Sequence, residues 1–317
     1  MRVILRRSPQ GFRSPRGGHV IDLQRGLQQS GHSPQSIDGI FGGFTEAGVQ
    51  SWQLAQGRQA TGEVDELTWR GIVRTDPPAL FRRCLALTAA FEGHGYTLAL
   101  GNWDNAFITW GIVGFTLKGG NIGEVVRRIA ARHPGLLERV IGDDRARALL
   151  DVIGATRARQ QAFANAISLP PKKVRLQTDW EDAFEGLGNR PEVRAIQDEV
   201  ARDRYWATAL RDFRKFDLED ELDAALMFDT AVQNGGIDGA KEAAIRRGLA
   251  AAPGATGQSR REIFANAIAE ESSPDFVEDV RSRRLTIARS QGKVHGAIYR
   301  VEDWGLAQLT ADAIDLV

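Results

Sequence analysis

Cysteine, methionine, tyrosine and histidine are scarce in this chain, with one, two, three and five copies in 317 residues, and neither sign of charge is in excess. A single cysteine excludes an internal disulfide and a thiolate metal site. Lysine plus arginine equals aspartate plus glutamate at 41 each, so no global basic field points to nucleic acid and no acidic excess to a cationic partner. No run of about 18 apolar residues occurs, so no membrane span is expected. The segment Met1 to Pro9 has only three consecutive apolar positions, far short of a secretory leader. The histidines His94, His133 and His295 lack the spacing of a zinc site, and no glycine-rich phosphate loop follows a strand, so neither metal nor cofactor is expected.

What remains is an ordinary globular composition. With 42% hydrophobic residues the chain can bury a sizeable core, and its length suggests about two domains. Residues 1–17, rich in arginine, glycine, serine and proline, read as a tail. From Val20 to Ile72 the pattern is two short helices and a weaker third, separated by turns. Pro77-Pro78 then stiffens and breaks the chain, which sets a boundary near 73–79 and domains at 18–75 and 76–317. Beyond it, amphipathic helices are expected at about 122–133, 136–151, 154–167, 191–214, 218–233, 238–251 and 260–270, giving a mainly α fold. The stretch Arg281-Ser282-Arg283-Arg284 reads as a solvated helix face.

The chemistry is concentrated between Glu92 and Phe115. Leu80, Cys84, Leu87 and Phe91 repeat at helical spacing, and Gly93-His94-Gly95 ends that helix with Glu92 at its C-terminus. The helix dipole and the apolar face both favour a protonated carboxyl there, the form a general acid needs. Asp104 follows, and then a short apolar β segment, Ile108-Thr109-Trp110-Gly111-Ile112. Two carboxylates in this setting suggest a glycoside hydrolase with Glu92 as acid and Asp104 as base. Trp103 and Trp110 would stack on sugar faces. Outside this pattern Asp104 is a turn former, Thr109 a β-favouring residue, and both tryptophans core residues. Asp229, inside an apolar helix, reads as a buried carboxylate paired with an arginine such as Arg202 or Arg204.

Two resemblances add to these readings. Val20, Leu23, Gln24 and Leu27, the turn Ile37-Asp38-Gly39-Ile40-Phe41-Gly42, then Thr45, Val49, Trp52-Gln53, Thr61-Gly62 and Leu67-Thr68-Trp69 resemble the type 1 peptidoglycan-binding domain. Physically, Thr45 can cap the second helix, and Val49, Trp52 and Leu54 can fill a small three-helix bundle. The resemblance implies muropeptide contacts near the turn, with Asp38, Phe41, Trp52 and Gln53 as candidates. Trp52 also reads as core.

The second domain resembles, more distantly, the chitosanases of the lysozyme superfamily. Aligned on Gly114-Phe115, Glu92 falls on that family's acid, Asp104 on its base and Thr109 on the threonine that holds the attacking water. Gln197, Tyr205-Trp206, the Leu226 to Gly235 segment with Asp229 and Asn234, and Asp303-Trp304-Gly305 follow in the family's order. Asp229 and Asn234 become candidate substrate-binding residues on that basis. Asn105, Ala106, Phe107 and Ile108 replace the family's glycine, arginine, glycine and tyrosine, which implies a changed cleft. The fold expected is a small helical bundle joined to a larger α-rich catalytic domain with a short β segment.

Together the two halves predict a monomeric peptidoglycan glycosidase of the N-acetylmuramidase type. With no leader, it would reach the wall by holin release or dedicated secretion. A lytic transglycosylase using Glu92 alone, a true chitosanase and a non-catalytic wall-binding protein are the alternatives.

Overall fold

The computed structural model describes residues 2–93 and 95–310. The chain opens with β1 (Val3–Leu5), α1 (Gly18–Gln29), α2 (Gly43–Ala55), β2 (Val64–Asp65), α3 (Glu66–Val73) and α4 (Leu80–Glu92). Next come β3 (Ala99–Leu100), β4 (Thr109–Trp110), β5 (Phe115–Thr116), α5 (Asn121–Arg132), α6 (Leu136–Ile141), α7 (Asp143–Ile153), α8 (Arg157–Ile167), α9 (Thr178–Gly188) and α10 (Pro191–Ala201). The last stretch holds α11 (Ala207–Lys215), α12 (Glu221–Asn234), α13 (Gly239–Ala251), α14 (Gly257–Glu270), α15 (Val277–Ala288), β6 (Gln291–Val294) and β7 (Ala297–Arg300). The fold is mainly α, as its helical periodicities require. Among the described residues no helix is long and apolar enough to cross a membrane. The chain groups into two units, Met1–Phe91 with Tyr205–Val317, and Glu92–Arg204.

In the first unit, α1, α2 and α3 enclose a core of Val20, Leu23, Leu27, Phe41, Val49, Trp52, Trp69 and Ile72. The segment before α1 is not a loose tail. Ile4 and Leu5 join that core and β1 pairs antiparallel with β2, because two large aliphatic side chains gain roughly 1.5–3 kcal/mol each on burial. Arg6 then donates from Nε to Asp303 Oδ1 at 2.6 Å. Leu54 is exposed and adds nothing to the core, and α2 begins at Gly43 with no side-chain cap, Thr45 lying inside it. Later in this unit, α12 is buried along its length from Glu221 to Ala231.

Two helices interrupt the expected pattern. The 136–151 helix breaks at Gly142 into α6 and α7, and the 191–214 helix passes through a π turn at Arg202–Trp206. Contrary to expectation, α15 turns Arg283 and Arg284 inward, where both are buried by ion pairs with Asp229. An arginine-rich face reads as solvated until a buried carboxylate is placed beside it.

Candidate active site

Glu92 is the last residue of α4, half-buried, and Gly93 turns the chain with φ 69°. The apolar stripe behind it is complete, since Leu80, Cys84, Leu87 and Phe91 are all buried. Glu92 and Asp104 both belong to the Glu92–Arg204 unit.

Asp104 is exposed on the loop between β3 and β4, and its Oδ1 accepts from the Ala106 N–H at 3.0 Å. The loop is held from behind. Gly101 N–H donates to Val174 O at 2.9 Å, Asn102 N–H to Ser168 Oγ at 3.0 Å, and Asn102 Nδ2 to Asn165 Oδ1 at 2.9 Å. Asn102 Oδ1 accepts from Phe107 N–H at 3.1 Å, which closes the loop on itself. A Cβ on Gly101 would stand 2.5 Å from both Lys173 O and Ser168 Oγ, so only glycine allows this approach. Asn105 and Phe107 take positive φ (63° and 72°), a backbone cost that the surrounding bonds sustain. The result is an exposed carboxylate on a fixed support.

Thr109 lies on β4, paired with Leu100 on β3 and Thr116 on β5, and is almost fully buried. The β4–β5 turn is fixed by Gln197 of α10. Its Oε1 accepts from Ile112 N–H at 2.9 Å while its Nε2 donates to Tyr96 O at 3.1 Å. The neighbouring Asp198 Oδ1 accepts from Tyr96 Oη at 2.9 Å. One turn of α10 therefore fixes both the segment leading into β3 and the turn that follows Thr109. Gln197 carried a sequence signal only through its collinear order, whereas Asn102 and Asn165 carried none, being common loop and helix residues.

The two tryptophans separate. Trp103 is 55% exposed beside Asp104, whereas Trp110 is fully buried with its ring 5.2 Å from that of Phe184, so it is core and cannot stack on a sugar. Alternation on so short a strand does not tell which face is wet.

Asp229 does not face a substrate either. It is fully buried in the other unit, accepting from Arg283 Nη2 at 2.7 Å and from Arg284 Nη1. Its partners are thus Arg283 and Arg284 rather than Arg202 or Arg204, and Arg204 pairs with Glu124 instead. Burial alone would raise the Asp229 carboxyl, but the two guanidinium groups and the Thr88 hydroxyl hold it below the usual carboxylate range. Asn234, at the end of α12, accepts from Arg284 Nη2 at 2.6 Å and so completes the same cluster.

On the N-terminal module, Phe41, Trp52 and Gln53 are buried, and each supports the fold rather than a ligand surface. Gln53 Nε2 donates to Glu63 O at 2.9 Å and its Oε1 accepts from Gly62 N–H at 2.9 Å. Asp38 is exposed but is committed to its turn. Partial burial would raise its carboxyl, yet hydrogen bonds from Gln24, the Ile40 N–H and Ser36 keep it below the usual range. The apolar side chains left exposed around that turn are Ile37, Ile40 and Phe44.

Among curated proteins none matches this sequence. Solved structures similar to it include a family 46 chitosanase of Gynuella sunshinyii in complex with chitotetraose, 18% identical over 70% of this chain and 97% of that one, with a TM-score of 0.49. A native chitosanase of Bacillus subtilis is 20% identical over 70% of this chain and 97% of that one, also with a TM-score of 0.49. Residues 16–71, spanning α1, α2 and most of α3, match the family model described as "Putative peptidoglycan binding domain", which assigns this segment to that domain family.

Proposed function

We propose that the protein is a peptidoglycan-directed glycoside hydrolase that cleaves the β-1,4 glycan backbone as an N-acetylmuramidase. The observation that carries the reading is Asp104, an exposed carboxylate on a loop fixed by partly buried hydrogen bonds, in the same unit as the helix-terminal Glu92. Glu92 donates its proton to the leaving glycosidic oxygen. Asp104 takes a proton from a water molecule, and that water attacks the anomeric carbon from the opposite face, giving inversion across a carboxylate separation of roughly 6.5–9.5 Å. Thr109 serves to hold the water, and the exposed Trp103 offers a sugar-stacking face. The module at residues 16–71 directs the enzyme to the wall.

Charge around the Asp104 loop favours peptidoglycan over chitosan. Lys173 Nζ donates to Asn165 Oδ1 at 2.8 Å, the atom that also accepts from Asn102. The Lys118 N–H donates to Ala106 O, and Arg157 donates to Lys118 O. Among the described residues none of these three cations has a carboxylate partner, whereas Arg128, Arg132, Arg145 and Arg175 of the same unit all do. Uncompensated positive charge repels a polycation and suits a glycan that bears lactyl and peptide carboxylates.

Mass spectrometry of purified sacculi after digestion tests this reading. New reducing muropeptides ending in N-acetylmuramic acid are expected. Products ending in 1,6-anhydro sugars would instead mark a transglycosylase, and hydrolysis of chitosan with intact sacculi would overturn the substrate assignment.

A further inference from the structure

The last turn of an α-helix leaves carbonyl groups without intrahelical partners. At the end of α4 two of them are met by the β6–β7 hairpin. Tyr299 Oη donates to Ala90 O at 2.9 Å, and His295 Nδ1 lies 2.8 Å from Phe91 O. On its other side, His295 Nε2 stands 2.5 Å from Asp279 Oδ1 of α15. A carbonyl oxygen and a carboxylate can only accept. A neutral imidazole has one N–H and satisfies one of them, while the imidazolium satisfies both.

We propose that His295, as the imidazolium, is a positioning residue that latches the end of α4 and so fixes Glu92, the next residue in the chain; this rests on Glu92 as the general acid. Asp279 is itself anchored, since its Oδ2 accepts from Gln233 Nε2 at 3.0 Å. Tyr299 adds an edge-to-face contact with Phe91 at 4.8 Å between centroids. A cation at this end of a helix is also favoured by the dipole.

Asp279 of α15 is the charge in direct contact with the ring, while Arg283 of the same helix stands 5.6 Å over the Phe91 ring and is paired with Asp229 of α12. The His295 side chain is 53% exposed. Loss of the ring removes the partner of the Phe91 carbonyl. Release of the Phe91 carbonyl would let the final turn of α4 fray and blur the placement of Glu92.

The test uses the full chain and His295→Asn. This substitution creates Asn-Gly at the two-residue hairpin turn, the pair most favoured there, so the hairpin is retained while the imidazolium is removed. Two readouts are followed, the carbonyl 13C shift of Phe91 by NMR and kcat and KM on sacculi. In His295→Asn the Phe91 shift is expected to move from its wild-type value and kcat to fall about tenfold, the effect of one lost hydrogen bond, with KM unchanged. A Phe91 shift equal to that of the wild type, or a variant with the wild-type kcat, overturns the inference. A Phe91 shift that moves while sacculi stay intact supports the latch and counts against the glycosidase reading alone.

Discussion

Asp229 shows how far one buried charge organises this chain. With no exposure to water it is held by two guanidinium groups, and Thr230 Oγ1 and Asn234 Oδ1 accept further bonds from Arg284. Asp229→Ala leaves two cations uncompensated and should cost about 3–5 kcal/mol, read as a shift in the urea midpoint. A loss below about 1 kcal/mol would show that the cluster relaxes. His19 carries the opposite risk. Burial, reinforced by nearby Arg82, lowers it to about 3 from the ordinary 6.5, so the folded protein keeps it neutral. The unfolded chain takes up that proton first. Stability from this group is therefore complete above pH 6.5 and declines on acidification toward pH 3, at up to about 1.4 kcal/mol per pH unit. Urea denaturation at pH 7 and pH 5 should show this decline in the wild type and a smaller one in His19→Gln. At this scale the sequence was least legible. Phe41, Trp52 and Gln53 belong to a motif that encodes a turn and its core, and a motif cannot tell whether a residue is kept for folding or for ligand.

Among the elements, legibility followed periodicity. Helices α4, α5, α8, α12, α13 and α14 were readable because an apolar stripe repeats at helical spacing and a glycine or a capping residue marks their ends. β1 was hidden by its length of three residues within an arginine-rich segment. The inward orientation of α15 was hidden because its buried face is charged, and β6 and β7 were hidden because a His-Gly turn is an unusual hairpin signal. The β4–β5 turn could be recognised from its glycines, but the reason for Gly111 could not. Gly111 has φ 89°, and a Cβ there would meet Gln197 Oε1 at 2.4 Å, the oxygen that accepts from Ile112. Gly111→Ala should therefore destabilise the protein by about 1–3 kcal/mol and lower its activity, through both strain and a displaced buried acceptor. Thermal denaturation with a glycan assay checks both, and an unchanged variant would remove Gln197 from the support of the site.

At the scale of the whole molecule, the proposal joins a wall-binding segment to a two-carboxylate site. The order of motifs made the segment at residues 16–71 legible, because a linear pattern survives divergence better than side-chain contacts do. The linear pattern could not show that residues 205–317 group with the N-terminal stretch, or that Arg6 would reach Asp303. Nor could it show which cations beside the Asp104 loop lack a carboxylate partner among the described residues, since that depends on which carboxylates fold beside them. The central claim is that Glu92 and Asp104 act as acid and base, and the rate of reducing-end release from sacculi by wild type, Glu92→Gln and Asp104→Asn tests it most directly. Losses of several orders of magnitude in both variants, with sacculus binding retained, are predicted. Activity that survives Asp104→Asn would contradict the two-carboxylate mechanism, and activity that survives Glu92→Gln would remove the site altogether.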